Sequence, residues 1–456
     1  MEKKQSLLLW AGPAFGLIVW AVLRWQGLSP EASSTAGVTA LCAFWWVTEP
    51  VPIPVTSLIP FAAFPLTGVL SHKQVATAYG HTLILLLMGG FIISMAMEKS
   101  GTHRRLALNM VRMVGGGGRR LVLGFMLATA VLSMWISNTA TTLMLLPVAL
   151  AVIEKSEDQR IAVPLMLGIA YGASIGGLGT PVGTPPNVIF MGVYSKTTGQ
   201  EMSFLAWMKI GIPAVCVMLP VAWLVLVRNL KDTKPVDIPH PGPWRPAEVR
   251  VLLVFGMTAL AWILRTAPFG GWKTWLDMPG AGDSTVALIA VVVMFLIPDG
   301  EGDRLLDWPT ARKIPWGLLL LFGGGIAIAK AFGASGLSKS MASLLSGLTS
   351  WPVWLMILVI CLSVTFLTEI TSNTATTTLL MPVLAAAGVA ASIDPRLLMI
   401  PAALSASCAF MLPVATAPNA IVFGSGHVST QQMAREGILI NLAGTILLTI
   451  VCYFLL

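Results

Sequence analysis

Two identical hexapeptides carry much of the polar chemistry of an otherwise apolar chain. Ser137–Thr142 reads Ser-Asn-Thr-Ala-Thr-Thr, and the same six residues recur as Ser372–Thr377, 235 positions later. Their hydroxyl and amide oxygens can bind a hard cation such as sodium, and their amide N–H groups can bind a carboxylate. Neither hexapeptide contains an ionisable side chain. Both ligands can therefore be held without burying a full protein charge, which is costly inside a bilayer.

A second pair of motifs follows in the same order. Thr184–Asn187 reads Thr-Pro-Pro-Asn, and Thr416–Asn419 reads Thr-Ala-Pro-Asn, a shift of 232 positions. Proline cannot sustain the interior of a helix, so both motifs predict a local break in an apolar segment. A break leaves backbone carbonyls without helical partners. Backbone carbonyls at both motifs are thus available to a cation.

These motifs must be positioned by membrane-spanning elements. Hydrophobic residues make up 56% of the 456 residues, charged residues make up 11%, and the mean hydropathy is +0.81. Soluble domains carry about 25% charged residues, so the bilayer is the expected solvent. The net charge of +8 lies mostly in short loops between apolar spans, which excludes nucleic acid as a partner. Neither the cysteines nor the histidines are spaced like metal ligands.

The repeated motifs predict an internal duplication. We expect an all-α polytopic membrane protein of two inverted-topology repeats, with about eleven transmembrane helices plus two re-entrant helical hairpins. The first repeat, 1–230, contains a hairpin at 121–153 that enters from the cytoplasm. A proline-rich cytoplasmic linker, 231–250, precedes the second repeat, 251–456, whose hairpin at 352–389 enters from outside. The distribution of lysine and arginine places the N-terminus in the cytoplasm.

Several residues near the motifs admit two readings. Glu369 and Lys330 lie in apolar spans, where a charge is a functional candidate by default. We predict that Glu369 orients the second hairpin, and the alternative is structural pairing of these two charges, with each other or with other partners. Trp135 is a candidate for packing the first hairpin tip. Gly89 and Gly324, 235 positions apart, favour close helix packing over substrate contact.

The doubled Ser-Asn-Thr and Thr-x-Pro-Asn motifs, together with Trp46–Pro54, resemble the divalent anion:sodium symporters over nearly the whole chain. The resemblance implies a homodimer in which each protomer has a scaffold domain and a transport domain, with transport by an elevator mechanism. It also implies C4 dicarboxylate substrates such as succinate, malate and fumarate, with citrate or sulfate in some members.

The resemblance also implies two sodium sites and a substrate site, carried over by motif position. The first sodium site would use Ser133, Ser137, Asn138 and the backbone of Gly183. The second would use Thr368, Ser372, Asn373 and the backbone of Ala415. The substrate carboxylates would contact Asn138, Thr139, Asn373 and Thr374, with Thr184 and Thr416 beside them.

We therefore expect sodium-coupled symport of C4 dicarboxylates across a bacterial inner membrane, with Na⁺ as coupling ion and no cofactor. Two alternatives of the same fold stay open: a sodium-independent dicarboxylate exchanger, and a sulfate or citrate transporter. A membrane enzyme is disfavoured because the spans contain no reactive constellation of His, Ser–His or paired acids. A channel is disfavoured because interrupted, inverted repeats suit alternating access.

Overall fold

The computed structural model describes residues 2–115, 117–156, 158–230, 238–338, 340 and 351–456, with side chains from residue 6 onward. The α-helices of these residues are α1 (Glu2–Trp25), α2 (Pro30–Thr48), α3 (Ile53–Thr56), α4 (Ile59–Leu66), α5 (His72–Tyr79), α6 (Thr82–Ser100), α7 (Thr102–Val114), α8 (Arg119–Ser133), α9 (Asn138–Lys155), α10 (Ala162–Gly176), α11 (Pro185–Thr198), α12 (Phe204–Val227), α13 (Pro246–Ile263), α14 (Gly271–Trp275), α15 (Asp283–Leu296), α16 (Trp308–Ala311), α17 (Trp316–Ala334), α18 (Val353–Ile370), α19 (Asn373–Ala390), α20 (Arg396–Ser405), α21 (Ala417–Gly424) and α22 (Thr430–Leu455).

The fold is all-helical, as predicted. Within the described ranges, the only paired extended backbone is an isolated bridge between Pro298 and Arg304. Nine helical stretches of the same ranges are long and apolar enough to cross a bilayer, including both helices of the second predicted hairpin. The sequence predicts about eleven crossings besides the hairpins. Whether shorter apolar helices such as α15 also cross stays a prediction.

Both predicted hairpins are interrupted at the Ser-Asn-Thr motif. In the first, α8 ends at Ser133 and α9 begins at Asn138. In the second, α18 ends at Ile370 and α19 begins at Asn373. Serine is a strong N-cap residue because its side chain accepts an N–H that the first helical turn leaves free. The motif therefore starts a new helix inside an apolar segment that would otherwise continue as one.

The chain is unwound immediately before each Thr-x-Pro-Asn motif, so a break is present at both predicted places, and the motif itself begins the next helix. A short 3₁₀ turn and an irregular stretch separate α10 from α11, which begins at Pro185. In the second half, an irregular stretch separates α20 from α21, which begins at Ala417. Proline is tolerated in the first turn of a helix because no intrahelical N–H is needed there. Each proline thus ends the break and begins the next helix.

Packing interleaves the two halves of the chain. Helix α9 packs against α21, and α11 packs against α19, so each Ser-Asn-Thr helix meets the Thr-x-Pro-Asn helix of the other half. Helix α8 packs against α10 and α18 against α22, which holds each hairpin within its own half. The four motifs are therefore brought to one region at the interface between the halves.

The apolar composition of Ile53–Val69 predicts one membrane span, and that prediction is wrong in detail. The apolar segment Ile53–Val69 is two short helices, α3 and α4, with a break near Ser57. Pro52, Pro54 and Pro60 explain the difference, because closely spaced prolines remove the N–H donors that one long helix needs. Of the predicted linker, residues 231–237 lie outside the described ranges.

Close helix packing at the paired glycines is confirmed. A Cβ added to Gly89 would lie 2.6 Å from the Cβ of Ala287 on α15. A Cβ added to Gly324 on α17 would lie 2.8 Å from the backbone oxygen of Ser57. Neither glycine could carry a side chain without moving a neighbouring helix. The packing reading of these glycines is therefore correct.

Candidate functional site: a cavity between the two hairpin tips

Each hairpin tip presents the start of a helix. The Ser137 side chain caps α9 by accepting the backbone N–H of Ala140 at 3.2 Å. The Ser372 side chain caps α19 in the same way, accepting from Ala375 at 3.2 Å. A helix N-terminus carries partial positive charge and free N–H groups, which favour a bound anion. Two such ends in one region suit a ligand with two negative groups.

A buried hydroxyl lies behind the asparagine of each motif. Ser133 donates to Oδ1 of Asn138 at 2.6 Å, and Thr368 donates to Oδ1 of Asn373 at 2.8 Å. Both hydroxyl residues are completely buried. The backbone oxygen of Ala406 also lies 2.8 Å from the Thr368 hydroxyl and is a second acceptor for its one proton. The shift of 235 positions between the motifs thus carries a specific contact, which is evidence for structural equivalence beyond sequence.

The predicted residues meet in a cavity of about 760 Å³. Those that line it are Ser137, Asn138, Thr139, Gly183, Thr184, Ser372, Asn373, Thr374, Ala415 and Thr416. The two predicted ligands that do not line it are Ser133 and Thr368, which contact it through the asparagines. All the predicted site residues are thus assembled around a single space.

The first predicted sodium site has a defined backbone neighbour. A Cβ added to Gly177 would lie 3.0 Å from Oδ1 of Asn138 and 3.2 Å from the carbonyl oxygen of Gly183. These two oxygens, both predicted sodium ligands, therefore flank the same small space beside the end of α10. The residue at the equivalent place in the second half is Ala409, which is buried.

The unwound segments are tied to the hairpin tips by different chemistry in the two halves. In the first half, the Thr180 hydroxyl donates to the backbone oxygen of Met134. In the second half, the Glu369 carboxylate accepts the backbone N–H groups of residues 410–412 at 2.6, 2.9 and 3.1 Å. It also accepts from Asn441 at 2.7 Å. Glu369 is 3% exposed, and these four donors satisfy its charge.

Lys330 does not pair with Glu369, so pairing of the two with each other is wrong, and each has other structural partners. Its ammonium donates to the backbone oxygen of Gln74 at 3.0 Å and to the Thr77 hydroxyl at 3.1 Å. The physical reason is that Lys330 lies on the face of α17 that packs against α5. Glu369 instead faces the unwound segment of its own half.

Trp135 packs the first hairpin tip, as predicted. Its ring stacks on Phe204 at 6.0 Å between centroids and on Trp262 at 6.5 Å, and it meets Phe255 edge-on at 5.2 Å. These partners belong to α12 and α13. An aromatic cluster of this kind fixes the position of the tip relative to the second half of the chain.

Three ionisable residues of the cavity were missed from the sequence. Glu98 at the end of α6, His103 on α7 and Lys313 just before α17 all line it. Burial lowers the pKa of the His103 imidazole, so the neutral form is favoured. Glu98 lies in an apolar span, so the sequence marked it as a functional candidate as clearly as it marked Glu369. His103 and Lys313 lie in polar segments with no distinguishing motif.

Comparison with known proteins agrees with this architecture. Residues 43–399 match the family described as citrate transporter. The chain is 38% identical, over 97% of its length and 90% of the relative's, to the sodium-dependent dicarboxylate transporter SdcS of Staphylococcus saprophyticus. It is 39% identical to the protein of the same name from Staphylococcus aureus strain RF122, over 99% of this chain and 91% of that one.

Two solved structures share the fold. The YdaH transporter of Alcanivorax borkumensis has a TM-score of 0.59 at 16% identity, covering 86% of this chain and 87% of that one. MtrF of Neisseria gonorrhoeae has a TM-score of 0.60 at 13% identity, covering 85% and 83%. With a family match over most of its length and near-full-length relatives, the chain belongs to the citrate transporter family of membrane transporters, which confirms the resemblance seen in its motifs.

Proposed function

We propose that this chain is a sodium-coupled symporter of C4 dicarboxylates such as succinate, malate and fumarate. The observation that carries the proposal is the matched pair of hydroxyl–asparagine contacts, Ser133–Asn138 and Thr368–Asn373, at the two ends of one cavity. Each supplies neutral oxygens for a sodium ion and an amide N–H for a carboxylate. The relatives named as sodium-dependent dicarboxylate transporters support the same substrate class.

The chemistry of the tips favours a dianion. The starts of α9 and α19 each offer N–H groups and a threonine hydroxyl, from Thr139 and Thr374, to one carboxylate. The carbonyls of Gly183 and Ala415 offer oxygen ligands to a cation beside each tip. An anion and a cation bound side by side offset each other's charge, so the loaded site needs no ionised side chain.

Citrate is the second candidate substrate. The description of the matched family names it, and the cavity holds one lysine, Lys313, that a third carboxylate could contact. A sodium-independent dicarboxylate exchanger is the alternative mechanism, since a cavity of this kind also suits an exchange of one acid for another. Sulfate transport is a further alternative of the same fold.

The proposed architecture completes the mechanism. Residues 1–230 and 251–456 form two inverted repeats joined by the linker 231–250, and the hairpins at 121–153 and 352–389 belong to a transport domain that moves as an elevator against a scaffold. The protein is a homodimer in a bacterial inner membrane with a cytoplasmic N-terminus. It catalyses no chemical reaction, and Na⁺ is its coupling ion. Contacts repeated at shifts of 235 and 232 positions support the repeat assignment.

The test is uptake of labelled succinate into proteoliposomes with and without an inward sodium gradient. We expect sodium to drive uptake and Asn138→Ala or Asn373→Ala to abolish it. Asn109→Ala on α7, outside the cavity lining, is the matched control and should transport normally. Uptake that ignores sodium but requires internal dicarboxylate would make the protein an exchanger. Absence of succinate uptake with intact citrate or sulfate uptake would change the substrate.

A further inference from the structure

We infer that Asn187 and Asn419 are positioning residues that hold in place the two unwound segments that carry the proposed cation-binding carbonyls. Both asparagines end the Thr-x-Pro-Asn motifs, both are completely buried, and neither lines the cavity. They are therefore not ligands of the proposed sites. The inference rests on the proposed sodium-coupled function and adds the residues that shape its ion sites.

The contacts of the two asparagines are equivalent bond for bond. Asn187 Nδ2 donates to the carbonyl oxygens of Gly177 at 2.9 Å and Thr180 at 2.7 Å. Asn419 Nδ2 donates to the carbonyl oxygens of Ala409 and Leu412, both at 3.0 Å. All three positions are displaced by the same 232 residues. Each side-chain amide thus binds two backbone carbonyls of the unwound segment, and we call this pair of hydrogen bonds the asparagine clamp.

The donor atom explains why asparagine occupies this place. A side-chain amide nitrogen carries two N–H groups on one neutral atom, and here each N–H has a carbonyl acceptor. Serine or threonine offers one donor, and lysine would bury a charge. The side-chain oxygens of both asparagines are buried and have no hydrogen-bond partner among the residues that the structure describes. Burying an amide oxygen without a hydrogen bond is unfavourable, yet it occurs in both halves. This indicates that the fold requires the two N–H bonds at this place.

Asn187 affects the predicted sodium ligand Gly183 indirectly, through the carbonyl of Gly177. A Cβ added to Gly183 would lie 2.5 Å from the Gly177 carbonyl oxygen, so this carbonyl and Gly183 are in close contact. Gly177 also lies beside both Oδ1 of Asn138 and the Gly183 carbonyl. If Asn187 releases the Gly177 carbonyl, that carbonyl is free to move, and the space between the two sodium ligands changes with it. Asn187 therefore acts on the first ion site and Asn419 on the second.

The experiment measures sodium binding without substrate. Purified protein in detergent is unfolded thermally in sodium chloride or choline chloride, and the sodium concentration giving half of the maximal rise in melting temperature is determined. We expect Asn187→Ala and Asn419→Ala each to raise that concentration at least tenfold, and the serine variants, which keep one donor, to raise it less. Thr258→Val, which removes a buried hydroxyl on α13 whose acceptor is Val254 of the same helix, is the control and should leave it unchanged.

Uptake separates positioning from a loss of folded protein. In proteoliposomes, the serine variants should raise the half-maximal sodium concentration while the succinate KM at saturating sodium stays at the wild-type value. A merely structural role would lower the maximal rate and leave the sodium dependence unchanged, and that result would overturn the inference. If an alanine variant does not fold, a serine variant with a wild-type sodium midpoint overturns it equally. Wild-type protein that sodium neither stabilises nor drives would instead refute the proposed function.

Discussion

At the scale of single residues, the two proposed ion sites differ in sequence but preserve one hydrogen bond. Position 133 is serine and position 368 is threonine, yet both hydroxyls donate to the amide oxygen of the motif asparagine. The donor orients that oxygen, and the extra methyl group of Thr368 does not disturb the contact. Comparing hydroxyl removal with hydroxyl-preserving exchange therefore isolates the contribution of this contact.

We predict that Ser133→Ala and Thr368→Val each weaken sodium activation of uptake. A lost hydrogen bond of this kind is worth about 1 kcal/mol, or about a fivefold rise in the half-maximal sodium concentration. The exchanges Ser133→Thr and Thr368→Ser keep the donor and are the controls. Sodium titration of succinate uptake in proteoliposomes measures both. Equal effects of removal and exchange would show that side-chain volume matters and the hydrogen bond does not.

Glu369 is predicted to orient the second hairpin without contacting substrate. In Glu369→Gln, one side-chain oxygen becomes an N–H₂ group that faces backbone N–H donors, and charge-assisted bonds worth about 1.5–3 kcal/mol are lost. We expect at least about a tenfold fall in uptake. The relative inhibition by malate, fumarate and citrate should stay the same. Glu154→Gln, at an exposed position on α9, is the control. Altered substrate preference would assign Glu369 to the substrate site.

At the scale of elements, the breaks were predictable from local residues. Serine at the start of each motif and proline at the start of α11 signal a new helix, so the interruptions could be located from the sequence. Which helices meet could not be predicted. The packing of α9 on α21 and α11 on α19 depends on the shapes of apolar faces, which have no local sequence motif. The break near Ser57 was missed because apolar composition alone suggested one span.

The aromatic cluster around Trp135 is expected to stabilise the first hairpin tip. Trp135→Ala removes three ring contacts, with Phe204, Phe255 and Trp262, and should lower the free energy of unfolding by on the order of 2 kcal/mol. Trp135→Phe should have a smaller effect. Thermal unfolding of purified protein measures both. Trp25→Ala, at a residue 89% exposed, is the control. An equal loss in the control would mean that tryptophan at any site stabilises the detergent-bound protein.

At the scale of the whole molecule, one buried arginine joins the first half to the second. Arg105 on α7 forms an ion pair with Glu248 on α13 at 2.8 Å, and both side chains are buried. Its guanidinium also donates to the carbonyls of Gly242 and Pro243 at 2.7 and 2.6 Å and lies 4.9 Å from the centre of the Trp244 ring. The segment before α13 is thus fastened to α7.

Breaking this pair should be costly. Arg105→Ala leaves Glu248 buried without its main partner, and we expect a loss of about 3–5 kcal/mol in the free energy of unfolding. Arg104→Ala, at an exposed neighbour on the same helix, should change it by less than about 0.5 kcal/mol. Thermal or denaturant unfolding in detergent gives both values. A double replacement of Arg105 and Glu248 by methionine should recover most of the loss, and failure to recover would argue against the pair as the cause.

Two ionisable residues of the cavity, Lys313 and His103, could not be predicted from the sequence. Lys313 and His103 lie 210 positions apart, and only the packing of the whole chain brings both to the same cavity. The uncharged residues that line the cavity could be predicted because their motifs are repeated. The ionisable residues of the cavity belong to no repeated motif.

The hydrogen bonds that the Glu369 carboxylate accepts from residues 410–412 have a consequence for ion selectivity. Three backbone N–H groups and the Asn419 clamp hold the second unwound segment, whereas Thr180 and Asn187 hold the first with neutral bonds alone. A stiff set of oxygens distinguishes ions by radius better than a soft set, which can contract around a smaller ion. Lithium should therefore replace sodium more readily at the first proposed site than at the second, and two nearly identical motifs would differ in which alkali metal ions they accept.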